Sequence, residues 1–319
     1  MGSTFKKFLK CFNPKGQDNP SERIFVAAFG KHPGWDDHID DIGFETDVFV
    51  TVKRILYIQG IGGNIDSGSW DKLKEDQLIE EFKHVFFWYI NGNLVVGRMW
   101  SSQDGKGRKS YPFVVCVQCH KLPIKWIFEN VLPRLERVEA TCAATTSAND
   151  VRMAIQSVEQ ELRQLAQQCV ISPSPVIAYP NAIARLARHP EMGPDREGLF
   201  RVLYHIEREV GRHRSNSAGS MALRSTSLRI PTSQDTMLES ILLWNSFLFN
   251  MFGKNTPMLI LLPQRNNWID IIIGEPTELQ LYCLRASLKV IPLTSSIPYN
   301  MGSEFIDQAN KLIKDSLGG

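Results

Sequence analysis

The sequence predicts an α/β protein of the α+β type, with a central, largely antiparallel sheet carrying a three-strand meander and covered by helices. Three observations lead there. Apolar runs at 85–90 and 94–100 flank Asn91-Gly92, a pair that supplies the positive backbone angles of a two-residue hairpin turn. A third run at 111–118 follows a polar loop, and strands joined by short connections run antiparallel. From Pro123 onwards, apolar residues recur mainly at helical spacing.

Taken in order, residues 24–29 form a short apolar run ending at Gly30 and read as a strand. Residues 47–59 read as a helix with Val48, Val52, Ile55 and Leu56 on one face, ended by the glycines at 60, 62 and 63. The meander follows. Pro123 suits the first turn of a helix carrying Trp126, Ile127 and Val131, which Pro133 should kink or end. Val151, Ile155, Val158, Leu162, Leu165 and Cys169 keep one helical face. Shorter helices are expected at 181–188 and 196–210, and the small, polar, basic stretch 211–219 reads as a loop or linker. Residues 237–252 read as a buried helix, 258–262 and 268–273 as a strand pair turning at Asn266-Asn267, and 303–316 as a last helix with Phe305, Ile306, Ala309, Leu312 and Ile313 inward. Glu304 and Asp307 come early in that helix and Lys311 and Lys314 late, as the helix dipole favours.

Composition narrows the function classes. A chain of 319 residues can bury a sizeable core in one large domain or two smaller ones, and a net charge of +2 argues against a polyanion as main partner. The first residues carry lysines at 6, 7, 10 and 15 but no apolar core suited to export, and Lys6 stands where a myristoylation pattern wants Ser or Thr. Phe5, Phe8, Leu9 and Phe12 could line a short basic amphipathic face, although the breaker-rich residues 13–20 favour a loose tail. The most apolar segment, 237–252, is interrupted by Glu239, Asn245 and Asn250 and is shorter than the ~20 residues a membrane crossing needs. Six scattered cysteines without an export signal point to reduced thiols, so a cytoplasmic location is expected.

Three clusters invite chemical readings. The segment Gly30-Lys31-His32-Pro33-Gly34-Trp35-Asp36-Asp37-His38, continuing to Asp40 and Asp41, holds groups able to ligate a divalent metal, with His32, Asp36, Asp37 and His38 as the candidate ligands. Their spacing matches no established metal motif, and the plainer reading is a turn shaped by Gly30, Pro33 and Gly34. Cys116-Val117-Gln118-Cys119-His120 has the spacing of c-type haem attachment, but on a strand residues three apart face opposite sides, so two buried structural cysteines are expected. Ser102-Gln103-Asp104-Gly105-Lys106-Gly107-Arg108 suggests a phosphate cradle without the full P-loop pattern, and Asp104 with Arg108 suits a local ion pair or a partner contact. No nucleophile elbow is present, and the arginines between 185 and 229 are mixed with acids, as on a solvated helical face.

Together these pieces carry a resemblance. Gly30-Lys31, then Pro33 and Asp37, is similar to the opening G-K-x-P-x-x-x-D signature of the TagF (ImpM-like) family of type VI secretion proteins. Trp70-Asp71 resembles that family's Trp-Asp pair. Ser102-x-Asp104-x-x-Gly107-Arg108, followed by Tyr111-Pro112-Phe113, resembles its S-x-D-x-x-G-R-x-[FY]-P motif with one extra residue. The similarity covers about residues 24–118. Trp35 stands before Asp36-Asp37 where the family usually has an arginine before Gly-Asp, so a role carried by that arginine does not transfer. The resemblance implies a bacterial, non-enzymatic repressor of type VI secretion that acts in the cytoplasm by binding a forkhead-associated scaffold protein, with no cofactor, no nucleic acid and no stable membrane insertion. On this basis residues 1–21 are expected to form a flexible basic tail and 22–121 the TagF-like region. Residues 122–319 would form a helical segment and a C-terminal α/β region packed into the same globule. Loops 30–41 and 102–109 are expected either to present one polar patch to a protein partner or to hydrogen-bond each other into a lock. The alternatives are a metal-dependent hydrolase using His32, Asp36, Asp37 and His38, and a structural component of the secretion apparatus.

Overall fold

Two residues with positive φ, Asn91 (50°) and Gly92 (73°), turn the chain back on itself and set the register of the sheet. A computed structural model describes residues 23–170, 179, 181–193, 196–215, 225–233, 235–253 and 255–316; the expected basic tail at 1–21 lies outside them. The strands are β1 (Ile24–Gly30), β2 (Lys83–Ile90), β3 (Asn93–Ser101), β4 (Pro112–Cys119), β5 (Thr226–Pro231), β6 (Met258–Pro263) and β7 (Trp268–Ile273). They form one antiparallel sheet in the order β1-β4-β3-β2-β6-β7-β5. The predicted meander is β2-β3-β4. The sheet therefore takes four strands from residues 22–121 and three from 122–319.

Both faces of the sheet are covered, which explains why its strands read as continuous apolar runs instead of alternating ones. Val85, Phe87 and Tyr89 of β2 point into one core with Val96, Val115, Ile260 and Ile271. That core is closed by α3 (Ile124–Ala143), α4 (Ala148–Gln167), α5 (Ala182–Leu186), α6 (Glu197–Ser215), α7 (Met237–Phe252) and α9 (Ser303–Asp315). Phe86, Trp88 and Ile90 point into a second core beneath α1 (Asp47–Val52), the π-helical stretch Lys53–Gly62, α2 (Gly63–Asp66) and α8 (Glu278–Leu281). Each large apolar side chain buried in this way contributes about 1.5–3 kcal/mol. Because β1 lies at a sheet edge, Arg23 at its start also ties three segments together. It donates to the carbonyls of Ala166 (2.8 Å) and Cys169 (3.1 Å) at the C-terminal end of α4, and to that of Lys121 (3.2 Å) after β4.

Several expectations are corrected. The glycines at 60, 62 and 63 do not end the helix; the chain winds on through them to Asp66, with Gly62 and Gly63 at helical angles. Their purpose is contact: a Cβ on Gly60 would sit 2.2 Å from Leu281 Cδ1, and one on Gly63 would sit 2.8 Å from the Glu278 carboxyl, so glycine admits α8. Pro133 does not end α3 either. The helix runs to Ala143, held by Val131, Leu135 and Val138 in the core, so tertiary packing outweighs the hydrogen bond the proline removes. The linker expected at 211–219 begins as helix, since α6 continues to Ser215; the rest of that stretch lies outside the described residues. Leu312 is 46% exposed, whereas Ala309 and Ile313 of the same helix are buried. Strand β5 was not foreseen. Its Arg229 disguises it, and the disguise is explained by Asp270 directly opposite on β7.

Gly97 marks a close approach between strands. A Cβ there would lie 2.2 Å from Phe86 Cζ and 2.9 Å from Cys116 Cβ, and both neighbours are fully buried. Gly97→Ala is expected to destabilise the protein by about 1–3 kcal/mol, seen as a lower urea midpoint with an unchanged slope. A variant as stable as the wild type would show that this contact relaxes freely.

Candidate functional site

At one end of β1, Gly30 adopts φ +114°, where a Cβ would collide with the Pro112 carbonyl oxygen at 2.2 Å. Glycine thus lets β1 leave the edge of β4 and turn sharply into loop 30–41. The loop closes on itself: Ile39 N–H donates to Gly30 O (2.8 Å) and Trp35 N–H to His32 O (3.0 Å). Lys31 is thereby directed inward, and it is buried.

Its partner comes from the meander loop. Lys31 Nζ lies 2.7 Å from Asp104 Oδ2, and Asp104 is itself buried. Asp104 also accepts from Arg108 Nε (2.7 Å) at Oδ2, and from the backbone N–H groups of Lys106 and Arg108 (3.0 Å each) at Oδ1. Both carboxylate oxygens are fully engaged. Burial opposes ionisation of this group, but the bonds from Lys31, from the Arg108 backbone and guanidinium and from Lys106 prevail, holding the carboxyl well below the usual range. Arg108 then reaches across to the other loop, donating from Nη2 to Asp36 O (2.9 Å) and standing 3.1 Å from Asp37 Oδ1. Gly105 N–H completes the brace on Trp35 O (2.6 Å). Loops 30–41 and 102–109 therefore lie side by side, with Lys31, Asp37, Asp104 and Arg108 joined by ion pairs and Gly30 turning the chain into them. Gly107 (φ +78°) supplies the left-handed corner between Asp104 and Arg108.

The other predicted residues sit differently. Pro33 and Ser102 line a cleft of about 570 Å³ beside the brace, together with Glu80, Glu81, Gln103 and Lys109. Trp70 lies outside the brace. It is buried with Nε1 bonded to Tyr282 O (3.1 Å) and its ring edge-on to Phe82, so it pins segment 70–82 to the turn after α8, while Asp71 is exposed. His32 is buried with both ring nitrogens engaged: Gly34 N–H donates to Nδ1 (3.1 Å) and Nε2 faces Cys142 O (2.8 Å). Burial lowers its pKa, which keeps it neutral. His38 lies edge-on to Tyr57 and Tyr111, with Nδ1 3.2 Å from Asp37 Oδ1. Among the described residues, no group of three or more His, Cys, Asp or Glu side chains is placed to hold a metal ion. Cys116 and Cys119 enter opposite cores, and burial pushes both thiols up.

One anchor was missed in the sequence. Arg152 of α4 lies over the Trp35 ring (5.1 Å to its centre) and pairs with Asp40 (2.8 Å), to which Trp35 Nε1 also donates (3.3 Å). A Cβ on Gly34 would meet Ala148 N at 2.7 Å, so the loop is pressed against the start of α4. The signal available was the unusual Trp35 itself; nothing local pointed to Arg152, 117 positions on (152 − 35).

The fold and site define an antiparallel-sheet protein, with helices on both faces and two charge-braced loops at one end of β1 and β4. No family model and no curated protein matches the chain. Among solved structures, PA0076 from Pseudomonas aeruginosa PAO1 is similar at 16% identity and a TM-score of 0.31, over 48% of this chain and 66% of that one. The match spans just under two thirds of PA0076, and a likeness of that size defines neither fold nor family. Among the described residues, no helix is long and apolar enough to cross a membrane.

Two outcomes are expected. Asp104→Asn should lower the melting temperature at pH 7. A carboxylate held down by its partners stabilises above its unfolded pKa of about 3.9 and ceases to do so as pH falls towards the folded value, so the gap between variant and wild type should narrow below about pH 4. A gap unchanged from pH 7 to pH 3 would contradict this. Added Zn²⁺ or Mn²⁺ should give no thermal shift in untagged protein; a clear shift would revive the metal reading of His32, Asp36, Asp37 and His38.

Proposed function

We propose that the protein is a regulatory interaction protein of the TagF (ImpM-like) kind. In this reading it restrains type VI secretion in the bacterial cytoplasm by binding a forkhead-associated scaffold protein, and it catalyses no reaction. The observation that carries the reading is the brace between the two loops. Residues of two separate motifs, Lys31 and Asp37 in one and Asp104 and Arg108 in the other, meet in a single rigid polar feature. Loops fixed on a sheet are where binding groups normally sit.

The division of labour within the brace supports recognition over catalysis. Asp104 and Lys31 are buried and committed to internal bonds, so they offer nothing to a substrate. Arg108 and Asp37 keep 51% and 66% of their side-chain surface exposed, and both can exchange one another for partner groups. Trp35, where the family pattern has an arginine, is turned towards Arg152, so recognition here rests on Arg108 and the adjacent acids.

Arg108→Ala and Asp37→Ala are expected to leave the circular dichroism spectrum intact and to weaken capture of the scaffold protein about tenfold or more by calorimetry. Lys31→Ala should instead lower the melting temperature, because it leaves a buried carboxylate short of a partner. If both surface variants bind the scaffold as the wild type does, or the wild type does not bind it, the reading fails.

A further inference from the structure

Helix α4 lies along β1, an edge strand, and spends its charged side chains on its own chain. Arg152 pairs with Asp40 (2.8 Å) and lies over Trp35. Glu159 accepts from Val26 N–H (3.3 Å) and pairs with Arg163 (2.8 Å), which donates from Nε to Ile24 O (3.1 Å). Glu161 pairs with Arg134 (2.7 Å) and Arg137 of α3. The bonds from Glu159 and Arg163 occupy the outer edge of β1, where another strand would otherwise pair.

What α4 leaves facing water is an uncharged stripe. Asn149, Met153, Gln156, Gln160, Gln164 and Gln167 are all exposed and recur at steps of four or three, which places them on one helical face. Met153 keeps 57% of its surface. Asp150, beside the stripe, is the one exposed charged residue of α4, and Thr145 Oγ1 donates to its carboxylate (3.0 Å). A helix face that meets only solvent is written differently. The shorter α9 exposes Glu304, Asp307, Lys311, Lys314 and Asp315. Loss of charge with methionine present is the composition of the centre of a protein interface.

We propose that this face of α4 pairs with the same face of a second copy of the chain. The side chains decide the occupant. A primary amide is both donor and acceptor, so a row of glutamines can satisfy a row of glutamines, whereas an apolar partner would leave the amides unpaired. Laid antiparallel across a two-fold axis, the two helices also set their dipoles in favourable opposition. The helix has 20 residues, a length of about 30 Å, and one face of it covers less than the about 800 Å² per partner of a standard interface. The dimer is therefore weak and concentration-dependent. The inference goes beyond the regulatory reading and does not rest on it.

Sedimentation velocity of the full chain, from micromolar to near-millimolar concentration, should show a monomer that passes reversibly to a dimer. Met153→Lys and Gln160→Lys should each weaken self-association about tenfold or more, since every copy brings the new charge to the shared face. An equimolar mixture of Gln160→Lys and Gln160→Glu chains should pair again, and Lys311→Glu on α9 should change nothing. Both α4 positions are exposed, so the melting temperatures should stay at the wild-type value; if Met153→Lys melts early, the Gln160 pair decides. A monomer at every concentration, a dimer indifferent to both substitutions, or no recovery in the mixture would each overturn the proposal. A chain that binds the scaffold yet stays monomeric would sink this inference alone.

Discussion

The loop end of this protein depends on one buried carboxylate. Asp104 accepts four hydrogen bonds, two from cationic side chains and two from backbone amides of its own loop. Taking a carboxylate out of water is costly unless every lone pair finds a donor, and here each does. The requirement propagates outward. Lys31 must be turned in, so Gly30 must take an angle open to glycine; Arg108 must come round, so Gly107 must form a left-handed corner. The shape of both loops follows from satisfying one side chain.

A second buried ion pair does the same for the far edge of the sheet. All five donors of Arg229 are used: two on the Asp270 carboxylate, two on the carbonyls of Ala286 and Ile291, and one on that of Cys283. Trp268 adds an N–H to Asp270 and lays its ring under the guanidinium. Removing one member of such a pair costs about 3–5 kcal/mol, whereas a matched apolar replacement can be nearly neutral. Its structural role is therefore placement. It fixes the irregular stretch 283–291 against β5 and β7, and that stretch in turn presents Arg285 to Ile79 and Glu80 at the mouth of the cleft.

Much of the fold was legible because burial on both faces of a sheet writes itself as continuous apolar runs, and because Asn91-Gly92 admits few other conformations. The errors have a common cause. Gly60, Gly63, Pro133 and Arg229 were judged by local rules, and each is overridden by a contact distant in sequence: α8 for the glycines, the sheet for α3, Asp270 for β5. At the site, the ion pair between Asp104 and Arg108 was readable because the two lie four positions apart. The proximity of the two loops was expected from paired motifs and is reached through the β1–β4 ladder. Trp70, grouped with them by motif, lies outside the brace and serves packing. The grip of Arg152 on Trp35 was not readable, because it joins two segments whose local sequences say nothing of each other.

Buried and exposed ion pairs are layered within the same few residues. An exposed pair such as Arg108–Asp37 contributes at most about 1 kcal/mol, so breaking it would not unfold the loops. The buried Lys31–Asp104 couple has no such freedom, because losing Lys31 leaves a buried carboxylate one donor short and losing Asp104 leaves a buried ammonium without its 2.7 Å partner. On the proposed interaction reading, the inner bonds would hold the geometry before a partner arrives, so little ordering entropy would be lost on binding.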